Sequence, residues 1–259
     1  MAKGKAKRVL LGIQGLIGHK TAPDWSFIYR ASSVRDPKWN VGDIVELPDG
    51  REFHYAKSSG ECASGQAAEY VATGAIPYTL LSVGAAIDDR QLSFVASTHD
   101  ALAKDELRGG YCLTWPSAKT DQFRGIIGND VSAEDAAITV YLDGPLTIAV
   151  TTSTPGECYN NPFLSLRTGS SANLAKAGVP ATYISGSGIY FWVQTGGFGW
   201  LAPQSDVITN KIGAYYRHDG SIQADQAFSG LVAGEDTTQY AGNRVIGNYA
   251  GNGPLFLLK

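Results

Sequence analysis

The side chains that could act chemically on a ligand are four histidines, three cysteines and scattered carboxylates. His19, His54, His99 and His218 stand in neither HExxH nor HxH, the spacings that bring two imidazoles to one metal. His54 and His218 sit beside turn signals, where an exposed imidazole is expected. Cys62, in "GECASG", could attack a carbonyl only with a remote histidine as base. A small buried thiol is the simpler reading. Cys62, Cys112 and Cys158 form no CxxC pair and their number is odd. A disulfide framework is therefore not expected, in keeping with assembly in a reducing cytoplasm.

Other catalytic patterns are missing. There is no G-x-S-x-G elbow. Gly186-Ser187-Gly188 precedes a strand and not a helix, so it does not match a phosphate loop. The acidic stretches 128–135 and 234–243 lack the ligand spacing of a calcium loop. A carboxylate pair of the glycosidase kind cannot be seen in a sequence, which leaves a hydrolase formally open. The expectation is a protein without catalysis, cofactor or metal.

The residues most able to bind something lie in "SGSGIYFWVQTGGFGW", residues 185–200. Tyr190, Phe191, Trp192, Phe198 and Trp200 fall within eleven residues, broken by Gly196, Gly197 and Gly199. Alternation puts Ile189, Phe191 and Val193 on one face of a strand and Tyr190, Trp192 and Gln194 on the other. Both faces are bulky. Such a strand is a central core strand, a subunit contact or a platform for stacking sugars. Gly196-Gly197 reads as a turn into a second strand.

The elements that must position these residues are strands. "DIVELPDGREFHYA" (43–56), "AITVYLDGPLTIAV" (137–150) and "AYYRHDGSIQA" (214–224) place Asp49-Gly50, Asp143-Gly144 and Asp219-Gly220 between apolar runs, a strong hairpin signal. Further strands are expected at 91–98, 110–115, 122–128, 180–185, 188–195, 199–203, 244–250 and 255–258. Short helices are expected at 100–107, capped by Asp100, and at 64–72. Without strand–helix alternation the fold class is mainly β: an antiparallel sandwich or barrel built from hairpins, with short connecting helices and an extended N-terminal arm. The arm is 1–40. The β domain is 41–259, as one body or as two packed lobes joined near 151–180.

Hydrophobic residues make up 44% of the 259, and charged residues only 17%, against about 25% in ordinary domains. The net charge of −3 divides unevenly: residues 1–40 hold eight bases and two acids, net +6, and the remainder is net −9. Segment 9–18 follows four bases but is interrupted by Gln14 and glycines, so it is not read as a signal peptide. No run has the length of a membrane-spanning helix. The basic arm is either an idle, solubilising terminus or an attachment to an acidic partner, with Lys3, Lys5, Lys7 and Arg8 supplying attraction. Leu10, Leu11, Ile13, Trp25 and Phe27 would supply apolar anchors on a capsid or a neighbouring subunit.

Several segments resemble a family of structural proteins of tailed bacteriophages, encoded beside the major capsid protein. They are the hairpin "GDIVELPDGREFHYAKSSG", "YNNPFLSL" (159–166), "AGVPATYISGSGIYFWVQTGGFGWL" (177–201), "RHDGSI" and the closing "PLFLL". The resemblance spans about residues 40–258 and excludes the arm. It implies a non-enzymatic head decoration (cement) protein on the virion surface, made in the host cytoplasm. The partners implied are the major capsid protein and copies of the chain itself as a homotrimer, with neither nucleic acid nor membrane. On this view Tyr190, Phe191, Trp192, Phe198 and Trp200 serve the core or a subunit contact. The alternative is a carbohydrate- or receptor-binding tail component that stacks its ligand on Tyr190, Trp192 and Trp200.

Overall fold

The computed structural model describes residues 8–10, 25–71, 74–117, 120–169, 174–202, 212–224, 236–246 and 255–258. The chain forms two compact units. Residues 72–162 form one, inserted in sequence into the other, which comprises 7–71 and 163–259. The later of the two crossings falls between Pro162 and Phe163. The earlier one, after Val71, carries no compositional mark.

The outer part of the chain begins with strands β1 (Arg8–Leu10), β2 (Ile44–Glu46), β3 (Glu52–Ser59) and β4 (Ala68–Tyr70). After the insertion come β11 (Leu166–Arg167), β12 (Lys176–Pro180), β13 (Ser187–Trp200), β14 (Gly213–Arg217), β15 (Ile222–Ala224), β16 (Asp236–Ile246) and β17 (Leu255–Leu258). Strands β3, β11, β4, β12 and β13 pair in that order, and β13 pairs back onto β3, so the ring closes into a five-stranded barrel. Closure removes the free edges that an open sheet would expose. All five strands contribute to the barrel interior, through Ala56, Ala68, Leu166, Ala177, Phe191 and Val193. A ring of only five strands is narrow, so small alanines line it and the Phe191 ring fills it.

The inserted unit holds β5 (Gly74–Leu80), β6 (Gln91–Phe94), β7 (Tyr111–Thr114), β8 (Gln122–Asn129), β9 (Ile138–Leu142) and β10 (Pro155–Tyr159). They pair antiparallel in the order β5-β10-β7-β8-β9-β6. The sheet curls until its two edge strands meet at one bridge, Leu81 to Phe94, where Ser82 N–H donates to the Ser93 carbonyl at 2.8 Å. One apolar core fills the curl, with Phe94, Leu92, Leu107, Val140 and Leu142 at its centre.

The hairpins at Asp49-Gly50 and Asp219-Gly220 form as expected, and both use one turn. Leu47 N–H reaches the Arg51 carbonyl and Gly50 N–H the Leu47 carbonyl; Arg217, Ser221 and Gly220 repeat the pattern. Gly50 and Gly220 both have φ of +82°. This is a type I turn followed by a left-handed glycine.

The mainly β class holds, and several local expectations are corrected. Asp143-Gly144 does not close a hairpin. Both edges of β9 are taken, by β8 and β6, so no edge remains for a returning strand. Asp143 instead exchanges hydrogen bonds with Gly125. The segment 100–107 is not a helix. Asp105 has φ of +62°, and Asn129 on β8 takes the Leu107 N–H and the Ala103 carbonyl that a helix would use. Nor is the described part of 64–72, up to Val71, a helix: Gly65 has φ of +77°, and Ala67, Ala68 and Glu69 are all buried, leaving no solvent face. Among the described residues, the helical turns are short 3-10 segments such as Ser26–Tyr29 and Pro162–Leu164. Gly196-Gly197 is a bulge within β13, bridged by the Gln194 amide donating to the Gly196 and Phe198 carbonyls. Residues 181–185 run outside any strand, tied to Cys62 through Ile184.

Candidate binding surfaces

Strand β13 stands between two cores. Phe191 and Val193 face the barrel interior. Trp192 faces outward into a second cluster with Ile28, Val45, Leu47, Phe53 and Tyr55. A strand buried on both faces reads as a continuous apolar run, which is why "IYFWV" is bulky throughout.

Trp192 is 2% exposed. Its ring meets Trp39 edge-on at 4.9 Å, Phe27 at 5.7 Å and Tyr55 at 5.1 Å. Phe27 and Trp39 stack on each other, and so do Tyr55 and Tyr190. Segment 25–43 is held over these rings by backbone and side-chain bonds. Ser32 and Tyr190 exchange N–H to carbonyl bonds at 3.0 and 2.7 Å. The Asp36 N–H donates to the Tyr55 hydroxyl, and the Arg35 guanidinium donates to the Trp39 carbonyl and the Asn40 side chain. Burial raises the Tyr55 pKa, so the phenol stays protonated.

Between this segment and the strands lies a cleft of about 330 Å³. Phe27, Trp39, Tyr55, Tyr190 and Trp192 supply its rings; Arg30, Ser32 and Asp36 supply its polar groups. Trp25 and Phe27, expected on a free arm, pack against this chain's own Trp192 cluster. Arg8 and Leu10 belong to β1, which pairs parallel with β2 of the same chain. Lys3, Lys5, Lys7, Leu11 and Ile13 lie outside the described residues, as does His19.

The other aromatics expected on β13 are more open. Phe198 is 44% and Trp200 49% exposed. The Trp200 ring lies on Gly65, where an added Cβ would come within 2.3 Å of it.

A second surface lies on the inserted unit. Along β10, β7 and β8, Cys158, Cys112 and Ile126 point inward. On the opposite face Tyr159 sits directly across from Tyr111, and Leu113 across from Phe123. Tyr111 and Phe123 stack at 5.0 Å and 16° in the open. No motif marked this surface. Its only sequence signal is the period-2 alternation of "YCLT" and "QFRG", with aromatics where polar residues would ordinarily face water.

Comparison with protein-family models, with curated proteins and with solved structures finds no match to this chain.

Among the described residues, His54, His99, Cys62 and Glu69 are engaged in the fold. His54 is not an exposed turn residue: it stacks on Phe163 at 4.2 Å, and its Nδ1 lies 3.0 Å from the Thr195 hydroxyl. His99 is buried with both ring nitrogens on carbonyl oxygens, of Asp100 and Ala136. Burial pushes the Cys62 thiol up to about 12, far from a nucleophilic thiolate. Among the described residues no three His, Cys, Asp or Glu side chains group as a metal site requires. The buried Glu69 is committed to Lys176 at 2.9 Å and Arg167 at 3.4 Å.

Proposed function

We propose that this chain is a non-enzymatic bacteriophage head decoration protein that binds a preformed capsid shell and stabilises it. The single observation that carries the proposal is the outward face of β10, β7 and β8. Its Tyr159, Tyr111 and Phe123 lie open to solvent on a sheet whose inner face is already filled. An aromatic face left over after core formation marks a protein contact. The resemblance of the β3 hairpin and the β13 region to capsid-associated proteins supplies the identity of the partner. Copies of the chain form a trimer on the shell, and the leading bases Lys3, Lys5 and Lys7 add long-range attraction. The test is co-sedimentation with undecorated shells of the encoding phage, alongside sedimentation velocity of the free protein. Wild-type protein is expected to pellet with shells, and a Tyr111→Asp/Phe123→Asp variant to stay in the supernatant while keeping its fold. A free species of three times the 27.5 kDa chain mass is expected. Wild-type protein that does not pellet, or a variant that pellets equally, overturns the proposal.

The cleft at Trp192 favours a second reading, a carbohydrate- or receptor-binding virion component. Sugars offer C–H faces to aromatic rings and hydroxyls to polar groups, and the cleft holds five rings beside one Arg and one Asp. Here the stacking faces are Tyr190, Trp39 and Phe27; Trp192 is only the floor. Titration with neutral hexose oligosaccharides, read by tryptophan fluorescence, should give a saturable change that Tyr190→Ala abolishes. A flat titration removes this reading and leaves the first intact.

A further inference from the structure

The three cysteines fall into two classes. Cys62 is alone in the barrel interior. Cys112 on β7 and Cys158 on β10 lie directly opposite each other across an antiparallel pair without irregularity. The Trp115 N–H donates to the Pro155 carbonyl, so 155 and 115 form a hydrogen-bonded pair. Such pairs alternate, and three residues on, 158 and 112 form a non-hydrogen-bonded pair. In pairs of that kind the Cα atoms stand about 4.5 Å apart with side chains close together. That spacing falls within the range a disulfide spans, about 4.4–6.8 Å. The two thiols are 1% and 0% exposed, and they hydrogen-bond to each other.

We propose that Cys112 and Cys158 are an intramolecular disulfide site that locks β7 to β10, with Cys62 remaining a free thiol. The oxidant is a small disulfide such as glutathione disulfide. One cysteine thiolate attacks a glutathione sulfur, forming a protein–glutathione mixed disulfide and expelling one glutathione thiolate. The second cysteine thiolate attacks the protein sulfur of that bond, closing the S–S link and expelling the second glutathione thiolate. The two cysteines together lose two electrons and two protons; the two glutathiones gain them. Burial, with the neighbouring Cys112 thiol adding to it, pushes the Cys158 pKa well up. In the folded protein thiolate is therefore scarce, and exchange waits on local opening of the strand pair. During refolding in an oxidising glutathione buffer both thiols are accessible, so the link forms readily then. Tyr159, which follows Cys158, and Tyr111, which precedes Cys112, stand on the opposite face, so the bond would also fix the spacing of the exposed aromatics.

The experiment uses the whole chain. Reduced protein is unfolded, refolded in a glutathione/glutathione disulfide buffer, quenched in acid, denatured, alkylated and weighed. A fully reduced control takes three alkyl groups, one per cysteine. The refolded protein is expected to take one, on Cys62, with the peptides containing Cys112 and Cys158 joined. Cys62→Ser should still form the link, and Cys112→Ser should not. The linked form should melt higher by on the order of 10 °C, because the bond closes a long loop in the unfolded chain. Three alkylated cysteines after refolding, a link through Cys62, or a linked form that melts lower than the reduced protein would each overturn the proposal. The mass readout is taken on denatured protein, so a poorly folding variant still reports.

Discussion

In the barrel unit one strand of fourteen residues, β13, serves two cores. Among the described residues of the inserted unit no strand is longer than eight, and one core serves all six strands. The barrel unit joins strands far apart in sequence, since β3 and β13 flank the whole insertion. The inserted unit is a contiguous stretch. The barrel anchors its exterior with a buried ion pair: Lys176 Nζ reaches Glu69 at 2.9 Å and the His218 carbonyl at 2.6 Å. The inserted unit anchors its loops with buried neutral amides. Gln122 accepts from Thr147 N–H, and Asn129 accepts from Leu107 N–H while donating to the Ala103 carbonyl. The contrast teaches that a narrow barrel, whose interior takes alanines, must place its bulk outside the ring. There it needs large aromatics and a paired charge to cover them. A curled sheet encloses its own bulk and needs only its loops tied down.

The largest expected effects test whether the two units are energetically separate. Trp192→Ala should destabilise the barrel unit by about 3–5 kcal/mol, and Phe94→Ala the inserted unit by a similar amount. Scanning calorimetry should show each change moving a different transition. One shared transition that both move equally would erase the distinction.

Next come the polar anchors. Glu69→Ala strands a buried ammonium and should cost about 3–5 kcal/mol. Asn129→Ala strands neutral groups and should cost about 1–3 kcal/mol. Urea melts of the Glu69→Ala/Lys176→Met double variant should recover much of the first loss. A double variant no better than Glu69→Ala would mean that the pair matters for more than its charge.

The two matching hairpins give a finer comparison. At Gly50 an added Cβ meets nothing within 4 Å, and only the left-handed φ resists it. At Gly220 the same Cβ would lie 2.3 Å from the Ala67 carbonyl. Gly50→Ala should cost about 1–2 kcal/mol, and Gly220→Ala clearly more, because backbone must move as well. Equal losses would show that the β14–β15 hairpin can shift away from Ala67.

The smallest effect concerns pH. Burial alone would raise the Asp219 pKa, but hydrogen bonds from the Ser221 hydroxyl and N–H outweigh it, and the folded value lies below 3.8. A depressed carboxylate stabilises the folded form above its unfolded pKa and loses that contribution as pH falls through the folded value. The Ser221 amide signal should therefore titrate below about pH 4, and Asp219→Asn should flatten it. A midpoint above 3.8 would contradict the bonded geometry.

Much of the barrel unit was legible in the sequence because its signals are local. Pro48-Asp49-Gly50 and His218-Asp219-Gly220 specify their turns from residues within the turn, since the left-handed position takes glycine wherever the hairpin lies. The mainly β class and the two bulky faces of "IYFWV" followed from composition and alternation, while the burial of both faces came only with the fold. The full second surface was not legible, because Tyr159 joins the Tyr111–Phe123 stack of the β7–β8 pair only when β10 inserts beside β7.

The sequence by itself determined the strand-rich class, two of the three Asp-Gly hairpins and the alternation that puts Phe191 and Trp192 on opposite faces of one strand. These depend on backbone sterics and on solvent exclusion, which act over a few residues. Tertiary structure alone decided the rest. Asp143-Gly144 turns without a hairpin because both edges of β9 are occupied. Residues 100–107 forgo a helix because Asn129, far along the chain, takes their hydrogen bonds. Cys112 and Cys158 face each other because strand order, not spacing, sets who lies across from whom. In each case the competing interaction comes from a partner remote in sequence, and the local pattern carries no term for it.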